Sequence, residues 1–365
     1  MIHISIYKRL ATVYKIIGSN FGSWVSPIVG FLVIFVLRLF ISIFMFLDKI
    51  IFIRLNKIKI SNPIIIVGNP RSGTTFLQRF LVSNNFGKGS QLWQMIYPSI
   101  ILQKLLKPIL PILEYISPAK HHSTEAHKTS LSSVETDDVG MLFRFFDGFF
   151  LYGFFLSWSK ENLFNWVDPK LRDNSKRDYK WLESVWKRIL VSSNSNRVVA
   201  KLFSVSANAP KFLKKYPDAK ILYIVRDPLS VIPSGLSLVT GVLDKKFGFW
   251  NQPEEDRKRF LSNLYKGLVQ LLLRFESDWS SGKIDKSKVC IVRFDEMMND
   301  FSGLMNNIIK FTDHKNSDGL QEIIKSTDKK QKSYISKHKY NLLKFGLTEE
   351  KIKNDCKKYY ETFIS

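Results

Sequence analysis

An unbroken apolar run that ends in a glycine-containing turn places the strongest constraint on how this chain folds. Residues 63–68 read Pro-Ile-Ile-Ile-Val-Gly, and residues 70–75 read Pro-Arg-Ser-Gly-Thr-Thr. A short apolar run of this kind is typical of a strand buried on both faces, as in a parallel sheet. The residues after the turn, 76–81, predict a helix. The sequence therefore predicts the strand, turn and helix unit of an α/β fold.

The turn between this strand and helix has the residues of a phosphate-binding site. Backbone N–H groups and the positive end of the helix dipole attract an anion at a helix N-terminus. Arg71 adds a fixed positive charge, and Thr74 and Thr75 add hydroxyl donors. An ATP-binding P-loop requires a lysine after its second glycine, where this chain has Thr74. The difference favours a nucleotide without a triphosphate and argues against a nucleotide kinase or other NTPase.

A second apolar run leads into another anion-binding motif. Residues 219–225 read Ala-Lys-Ile-Leu-Tyr-Ile-Val and predict a strand, and Arg226 follows directly. Arg226 is therefore expected at the carboxyl end of a strand, where ligands of open α/β sheets bind. Ser234 comes eight residues later, about two turns into the next predicted helix at ~3.6 residues per turn. Arg226 and Ser234 are predicted to bind a second phosphate, apart from the first.

The two motifs together resemble the nucleotide-binding signatures of sulfotransferases that use 3′-phosphoadenosine-5′-phosphosulfate. The resemblance implies a P-loop-like three-layer α/β sandwich with a mainly parallel central sheet, whose strands lie near residues 63–67, 197–202, 220–225 and 288–293. It also implies transfer of a sulfuryl group from the nucleotide to an alcohol, with no metal. The residues that would hold the phosphosulfate are Arg71, Ser72, Gly73, Thr74 and Thr75, and those that would bind the 3′-phosphate are Arg226 and Ser234.

Further segments extend the resemblance. Residues 199–201 end in Lys201, which matches the lysine that the family places beside the donor. Lys201 would help to neutralise charge on the donor, although a lysine at a strand end is usually just solvated. Residues 292–297 resemble a core segment, to which we assign no chemistry. Residues 325–339 are rich in lysine and are predicted to form a linker, similar to the loop that closes over the 3′-phosphate.

The catalytic base is predicted to lie in a short segment rich in histidines and carboxylates. Transfer to an alcohol requires a group that takes the proton of the attacking hydroxyl. The branch that this chain resembles has an acidic cluster just before an apolar helix, which makes Glu135 the predicted base. A shifted alignment places Thr136 there and leaves Asp137 or Asp138 as the acid. Other branches use a histidine, which keeps His127 as a candidate. Helix capping or solvation is the alternative role of these carboxylates.

Charge and composition limit the classes of partner. The net charge of +23 could indicate nucleic-acid binding, but the lysines are spread along the chain and no zinc-finger, homeodomain or RNP signature occurs. An anionic nucleotide and an anionic membrane surface are the partners that we expect. His121, His122 and His127 could suggest zinc, but no cysteine lies nearby and no His-Glu-x-x-His pattern is present, so we expect no metal.

The first 60 residues form a separate, membrane-anchoring region, and residues 61–365 form the predicted sulfotransferase domain. Residues 24–47 are nearly all apolar and long enough to cross the ~30 Å hydrocarbon layer as one helix. An arginine in the middle of a span, as Arg38 would be, raises the free energy of membrane insertion by ~2.5–3.5 kcal/mol. About six leucine-like residues offset this cost, so we expect the segment to insert as a spanning helix. An in-plane helix or interfacial hairpin stays open. The absence of Asn-x-Ser/Thr sites favours the cytoplasmic face.

An aromatic stretch at residues 141–158 bears on the acceptor. Its rings have the spacing of a core-facing helix, which is the default interpretation. The alternative is an apolar acceptor channel that opens at the bilayer, so the acceptor is predicted to be a lipid or another membrane-associated alcohol. A quinone derivative, a sterol or a glycan would also fit. A rival function from another class is a membrane-anchored binding protein that keeps the nucleotide pocket and has lost catalysis.

Overall fold

The computed structural model describes residues 3–117, 129–333 and 341–364 of the chain. The chain divides into two compact units, each built from three segments. Unit 1 consists of Met1–Ile60, Ser90–Asn196 and Leu236–Gly267, and unit 2 consists of Ser61–Gly89, Arg197–Gly235 and Leu268–Ser365. The division into an anchoring region, residues 1–60, and a sulfotransferase domain, residues 61–365, stays a prediction.

Helices make up most of the regular structure in the described residues. The α-helices, in chain order, are α1 (Ile6–Phe21), α2 (Ser26–Ile51), α3 (Arg54–Lys57), α4 (Thr74–Ser83), α5 (Leu92–Ile96), α6 (Ile100–Leu106), α7 (Leu110–Ile116), α8 (Val139–Phe145), α9 (Phe149–Phe154), α10 (Ser175–Ser193), α11 (Ala209–Lys215), α12 (Pro228–Phe247), α13 (Glu254–Ser280), α14 (Phe294–Asn299), α15 (Phe301–Phe311), α16 (Asp318–Lys332), α17 (Glu349–Asp355) and α18 (Lys357–Tyr359). A π-helical turn, Tyr360–Ile364, follows α18.

Unit 2 contains a four-stranded parallel sheet. Its strands are β1 (Ile64–Val67), β2 (Val199–Lys201), β3 (Lys220–Val225) and β4 (Val289–Arg293), in the order β2-β1-β3-β4. All three neighbouring pairs run parallel. The residues of β1 are aliphatic and fully buried, as a strand covered on both faces requires. The sheet confirms the predicted α/β fold, since each strand lies within two residues of its expected position.

The register of the strands brings three carboxyl ends to one edge of the sheet. Ile66 of β1 pairs with Lys201 of β2, and Val67 of β1 pairs with Tyr223 of β3. The turn after β1, the lysine that ends β2 and Arg226 after β3 therefore meet at the same edge. Helix α4 begins directly after the turn, and its Leu77 packs in the core with residues of β1. The predicted strand, turn and helix unit is thus confirmed.

Helix α2 belongs to unit 1 and has one buried face. Ile41 and Met45 of this helix pack with Leu102 of α6. Asp48 is fully buried and accepts hydrogen bonds from the backbone N–H groups of Ile100 and Ile101, at 3.0 and 3.1 Å. The carboxylate thus satisfies N–H donors in the first turn of α6, where negative charge is favourable.

The opposite face of α2 is apolar and exposed. Within the described residues, α2 is the one helix that is long and apolar enough to cross a membrane. Length and composition alone do not distinguish a spanning helix from one that lies along a surface. The contacts of α2 within unit 1 bear on that distinction and are developed below.

The aromatic stretch forms α8, α9 and the turn that follows, Leu156–Trp158. Tyr152 and Trp158 are buried, and the Tyr152 hydroxyl donates a hydrogen bond to the Asn263 carbonyl at 2.6 Å. These contacts agree with the interpretation of the stretch as core. The acceptor channel stays a prediction.

The lysine-rich segment differs from its prediction. Residues 325–332 belong to α16 and do not form a linker. Ser317 caps the helix by accepting a hydrogen bond from the Leu320 backbone, and Leu320, Ile324 and Asp328 are its buried residues. These positions recur every four residues, which is the helical pattern that the many lysines obscured. Residues 334–340 lie outside the described residues.

Candidate functional site

The loop that joins β1 to α4 requires glycine at its end. Gly73 has φ +91°, in the left-handed region that favours glycine. A Cβ atom at Gly73 would lie 2.4 Å from Cε of Met297. Arg71 also has a positive φ, +76°, an uncommon conformation for a residue with a side chain. Such backbone strain is typical of functional loops, where the surrounding structure holds it in place.

Small hydroxyl residues fill the inside of this loop. Ser72 donates hydrogen bonds to the Asn69 carbonyl from both its backbone N–H (3.2 Å) and its Oγ (2.8 Å). Ser72 and Thr74 are buried. The first N–H groups of any helix have no partner within that helix, so the start of α4 presents donors and a positive dipole end. The loop has the local structure of an anion-binding site.

The structure brings the two predicted phosphate-binding motifs together. Nε of Arg71 donates a hydrogen bond to Oγ of Ser234 at 3.0 Å, and Nη1 of Arg226 donates one to the Arg71 carbonyl at 2.6 Å. The sequence predicted that Arg226 and Ser234 lie apart from the first motif, and that expectation was wrong. The reason is the strand order, because β1 and β3 are neighbours in the sheet and their loops are therefore adjacent.

Lys201 is part of the same group of residues. Its Nζ donates a hydrogen bond to Oγ1 of Thr75 at 2.7 Å, and the residue is only 2% exposed. Lysines are almost never fully buried unless they are paired. Lys201 is therefore not a solvated lysine at a strand end, which was the alternative considered from sequence. The end of β2 holds its ammonium group against the first turn of α4.

Phe294 is a residue of this site that the sequence analysis did not identify. The guanidinium carbon of Arg226 lies 3.8 Å from the centre of the Phe294 ring, in a cation–π contact. Phe294 directly follows β4, and Arg293 at the end of that strand pairs with Val225, the residue before Arg226. The sequence carries a signal for this residue, since an aromatic residue directly follows a predicted strand, but residues 292–297 also resemble a core segment.

Tyr360 supports the second motif from the C-terminal end of the chain. Its hydroxyl donates a hydrogen bond to Oδ1 of Asp227, and that same oxygen accepts one from the Leu229 backbone at 2.9 Å. Burial and the contact with Asp227 raise the pKa of Tyr360, so its hydroxyl stays protonated as a donor. Sequence spacing could not reveal this contact, because 133 residues separate the two side chains.

The donor set of this site suits phosphate oxygens. Two guanidinium groups, one ammonium group and several hydroxyls meet at the carboxyl edge of a parallel sheet, next to a helix N-terminus. Charged donors make short, strong hydrogen bonds to phosphate, and arginine matches its geometry with two parallel bonds. The residues present therefore fit a nucleotide that carries more than one phosphate group.

The predicted base Glu135 and its carboxylate alternatives lie in unit 1. Glu135, Asp137 and Asp138 are each at most 5% exposed, so solvation does not describe them. Oδ1 of Asp137 accepts hydrogen bonds from Oγ of Ser90 (2.6 Å) and Nε1 of Trp186 (2.9 Å). These two hydrogen bonds give the carboxylate of Asp137 a structural role.

The neighbours of Asp137 differ from it in their contacts. Oγ1 of Thr136 donates a hydrogen bond to Oδ2 of Asp138, which precedes α8 and makes no side-chain capping bond there. The backbone N–H of Glu135 donates to the Ser90 carbonyl at 3.1 Å. His121, His122 and His127 lie outside the described residues. Elsewhere in the described ranges, no group of three or more metal-ligating side chains occurs.

Comparisons with known proteins agree with this geometry. A family model described as "Sulfotransferase family" matches residues 63–318. The fold is similar to the crystal structure of sulfotransferase STF1 from Mycobacterium tuberculosis, with TM-score 0.72, 16% identity, and coverage of 96% of this chain and 91% of that chain. It is also similar to sulfotransferase STF9 from Mycobacterium avium, with TM-score 0.62, 17% identity, and coverage of 86% and 79%. No curated protein sequence matches the chain. At sequence identities of 16% and 17%, the two solved structures show that the fold is shared and nothing further.

Proposed function

Since this chain belongs to the sulfotransferase family, we propose that it transfers a sulfuryl group from 3′-phosphoadenosine-5′-phosphosulfate to a hydroxyl acceptor. The observation that carries the proposal is the hydrogen-bonded set Arg71, Ser234 and Arg226 beside the glycine loop. Two joined anion-binding motifs suit a nucleotide with phosphate groups at two positions of one ribose. The donor supplies the sulfuryl group, and the protein supplies positioning and charge.

The residues of the site have distinct roles in this proposal. Backbone and hydroxyl donors of the loop hold the phosphosulfate, and the ammonium of Lys201 offsets charge that develops on the 5′-phosphate side. Arg226 and Ser234 bind the 3′-phosphate. The loop residues concerned are Arg71, Ser72, Gly73, Thr74 and Thr75. The hydrogen bonds of Arg71, Arg226 and Lys201 orient these side chains before the donor binds, which lowers the entropy cost of binding.

Glu135 is the residue that we propose as the base. It would take the proton of the acceptor hydroxyl as that oxygen attacks sulfur. Asp137 is less suited, because hydrogen bonds from Ser90 and Trp186 already engage its carboxylate. Asp138 remains the carboxylate alternative, and His127 remains the histidine alternative.

The acceptor that we propose is a lipid or another membrane-associated alcohol. The support is the apolar exposed face of α2, which suits a protein that works at a membrane, on either its cytoplasmic or its outer side. The apolar and aromatic residues of the segment 141–158 would suit an apolar acceptor.

A transfer assay with a donor radiolabelled on sulfur tests the reaction. Wild-type protein should label an alcohol in a lipid extract. Arg226→Ala should bind adenosine 3′,5′-bisphosphate about 10- to 100-fold more weakly, because it loses charged hydrogen bonds of ~1.5–3 kcal/mol. Glu135→Gln should keep nucleotide affinity and lose about 100-fold or more in transfer rate.

A matched control comes from Arg197, which donates hydrogen bonds to the Asn62 and Thr312 carbonyls of unit 2. Arg197→Ala should cost stability and leave nucleotide affinity unchanged. Tight donor binding without any transfer would instead indicate a binding protein. Hydrolysis of ATP with Mg²⁺, together with indifference to adenosine 3′,5′-bisphosphate, would indicate an NTPase.

A further inference from the structure

Polar side chains fix α2 to the rest of unit 1 along much of its length. Near the middle, Nε of Arg38 donates a hydrogen bond to the Phe143 carbonyl at 2.7 Å. Ten residues later, Asp48 forms a buried ion pair with Arg188 at 2.8 Å. At ~1.5 Å per residue, the two anchors lie about 15 Å apart along the helix axis. The charged residues that complicate a membrane span are thus used in contacts within the unit.

The partners of α2 are not suited to a hydrocarbon environment. Helix α10, which supplies Arg188, also carries the half-exposed ion pair Glu183–Lys187. A bilayer around α2 would either enclose such groups or separate Asp48 from Arg188. The match to STF1 covers 96% of the chain and so includes at least part of the 26-residue α2 in the shared fold. Helix α2 is packed into unit 1 by these contacts.

The face of α2 turned away from these contacts is continuously apolar. Its exposed residues, here called the apolar face, are Ile28, Val29, Leu32, Val33, Phe35, Val36, Leu39, Phe40, Ile43, Phe46, Leu47, Ile50 and Ile51. Leu105 of the neighbouring helix α6 is 61% exposed, and α7 adds exposed apolar residues further along the chain. Exposed apolar surface of this extent marks a site that a partner covers.

Basic residues border the apolar face at its C-terminal end. Lys49, Arg54, Lys57 and Lys59 are exposed there, and Nζ of Lys104 lies 5.1 Å from the ring of Phe52. The whole chain carries a net charge of +23. A helix with an apolar side and flanking lysines has the pattern of proteins that lie in the interface of an anionic bilayer. The charges identify the partner as a lipid surface.

We propose that the apolar face binds an anionic lipid bilayer with α2 parallel to the membrane plane, so that the chain enters one leaflet and does not cross the membrane. The sequence favoured a spanning helix, and the contacts of Arg38 and Asp48 support the in-plane alternative. The inference rests on the membrane association proposed above and is independent of sulfuryl transfer. Sulfation of a soluble alcohol would be unaffected by its failure.

Vesicle flotation tests the binding surface. Wild-type protein should float with phosphatidylcholine vesicles that contain one quarter phosphatidylglycerol. The double variant Val36→Glu/Ile43→Glu should bind at least tenfold more weakly, because two charges enter the apolar layer. Leu343→Glu makes the same kind of change at an exposed leucine of unit 2, and it should bind like the wild type. Lys49→Glu should weaken binding to these vesicles by roughly fivefold or more and have little effect on neutral ones.

Labelling of the two helix ends distinguishes an in-plane helix from a spanning one. Ser26→Cys and Asn56→Cys, made separately at exposed polar positions near the two ends of α2 and outside the apolar face, should both react with a membrane-impermeant maleimide added outside the vesicles. The unmodified chain, with Cys290 and Cys356, gives the background. Protection of one end until detergent is added would overturn the proposal.

Two further outcomes would also count against the lipid surface. One is wild-type binding to vesicles by the Val36→Glu/Ile43→Glu variant. The other is a wild-type dimer in lipid-free solution that this variant dissociates, with no vesicle binding by either protein. That result would assign the apolar face to a second copy of the chain.

Discussion

The ion pairs of unit 1 and the site of unit 2 hold positive charge differently. In unit 1, Arg172 donates two hydrogen bonds to the carboxylate of Asp147, at 2.8 and 2.7 Å, and Arg188 pairs with Asp48. In unit 2, Arg71 donates to the hydroxyl of Ser234, Arg226 donates to a backbone carbonyl, and Lys201 donates to the hydroxyl of Thr75. The first group of bonds joins opposite charges, and the second joins cations to neutral acceptors.

The difference separates a structural role from a binding role. A carboxylate cancels the charge of its arginine, so the pair holds elements together and has little left to offer an anion. A hydroxyl or carbonyl orients a cation and does not cancel its charge. We therefore expect changes in these ion pairs of unit 1 to act on stability and changes in the site of unit 2 to act on nucleotide affinity. The predictions below test that division.

The largest effect is expected from the ion pair of α2. Asp48→Asn removes the carboxylate charge and leaves Arg188 buried beside a neutral group. Breaking a buried pair in this way typically costs about 3–5 kcal/mol. The free energy of unfolding should fall by that amount in a urea titration, with affinity for adenosine 3′,5′-bisphosphate unchanged in the folded protein.

Lys187→Ala is the control for this prediction. It removes a half-exposed partner of Glu183 on α10 and should cost about 1 kcal/mol or less. If Asp48→Asn cost no more than Lys187→Ala, the anchoring role of Asp48 would be wrong.

The next effect concerns the ammonium group of Lys201. Lys201→Met keeps a long side chain at the end of β2 and removes the charge and the hydrogen bond to Thr75. Affinity for the phosphosulfate donor should fall by about 10- to 100-fold, since hydrogen bonds to charged groups are worth ~1.5–3 kcal/mol. Isothermal titration calorimetry with a non-transferable donor analogue measures this change.

Lys220→Met is the matched control, because Lys220 lies on β3 of the same sheet and is within 3.9 Å of Asp313. It should leave donor affinity as in the wild type. Equal losses for the two lysines would mean that general charge, and not the position of Lys201, attracts the donor.

Low pH should lower the stability that the ion pair of Asp147 contributes to unit 1. Burial alone raises the pKa of Asp147, but the hydrogen bond and charge of Arg172, with the charges of Arg9 and Arg177, hold that pKa below its ordinary value of 3.8. Stability from this carboxylate is fully present above the unfolded pKa and is lost as pH falls through the lower folded pKa. Unfolding free energy measured from about pH 7 to pH 3 should therefore decline at the acid end.

Replacing the carboxylates separately identifies the source of this decline. Asp147→Asn should make the decline shallower, whereas Asp313→Asn, at an exposed carboxylate, should not change its slope. A decline that is equally steep without the Asp147 carboxylate would show that other groups govern acid unfolding.

The sequence predicted the elements of unit 2 well, because strong local signals coincide there. Strand β1 is an unbroken aliphatic run, and a glycine-containing turn follows it. The hydrophobic pattern and the turn residues therefore predict the same structure. Arg226 and Ser234 were found by the same logic. The contacts of Arg226 and Ser234 with Arg71 were not predicted. They depend on the strand order β2-β1-β3-β4, which residue patterns do not encode.

Unit 1 was harder to predict, because its contacts join distant segments. Asp48 lies 140 residues from Arg188, and no local pattern relates a carboxylate on an apolar helix to an arginine so far along the chain. The apolar run of α2 predicted a membrane span, and no local pattern indicated that Arg38 and Asp48 of this helix contact other parts of unit 1. The carboxylates near Glu135 gave a similarly ambiguous pattern, since burial and hydrogen bonding distinguish them and sequence does not.

The smallest effect tests whether an aromatic ring orients a binding cation. Phe294→Leu removes the ring beneath Arg226 and keeps an apolar side chain, so affinity for adenosine 3′,5′-bisphosphate should fall only about two- to fivefold, as a cation–π contact of ~0.5–1 kcal/mol implies. Phe311→Leu removes the ring 4.9 Å from Nζ of Lys220, a similar contact away from the glycine loop, and should leave affinity unchanged. Because both changes truncate a half-buried phenylalanine of unit 2, a general loss of packing would affect them alike. A specific loss of affinity in Phe294→Leu alone would show that the ring of Phe294 orients Arg226 for binding.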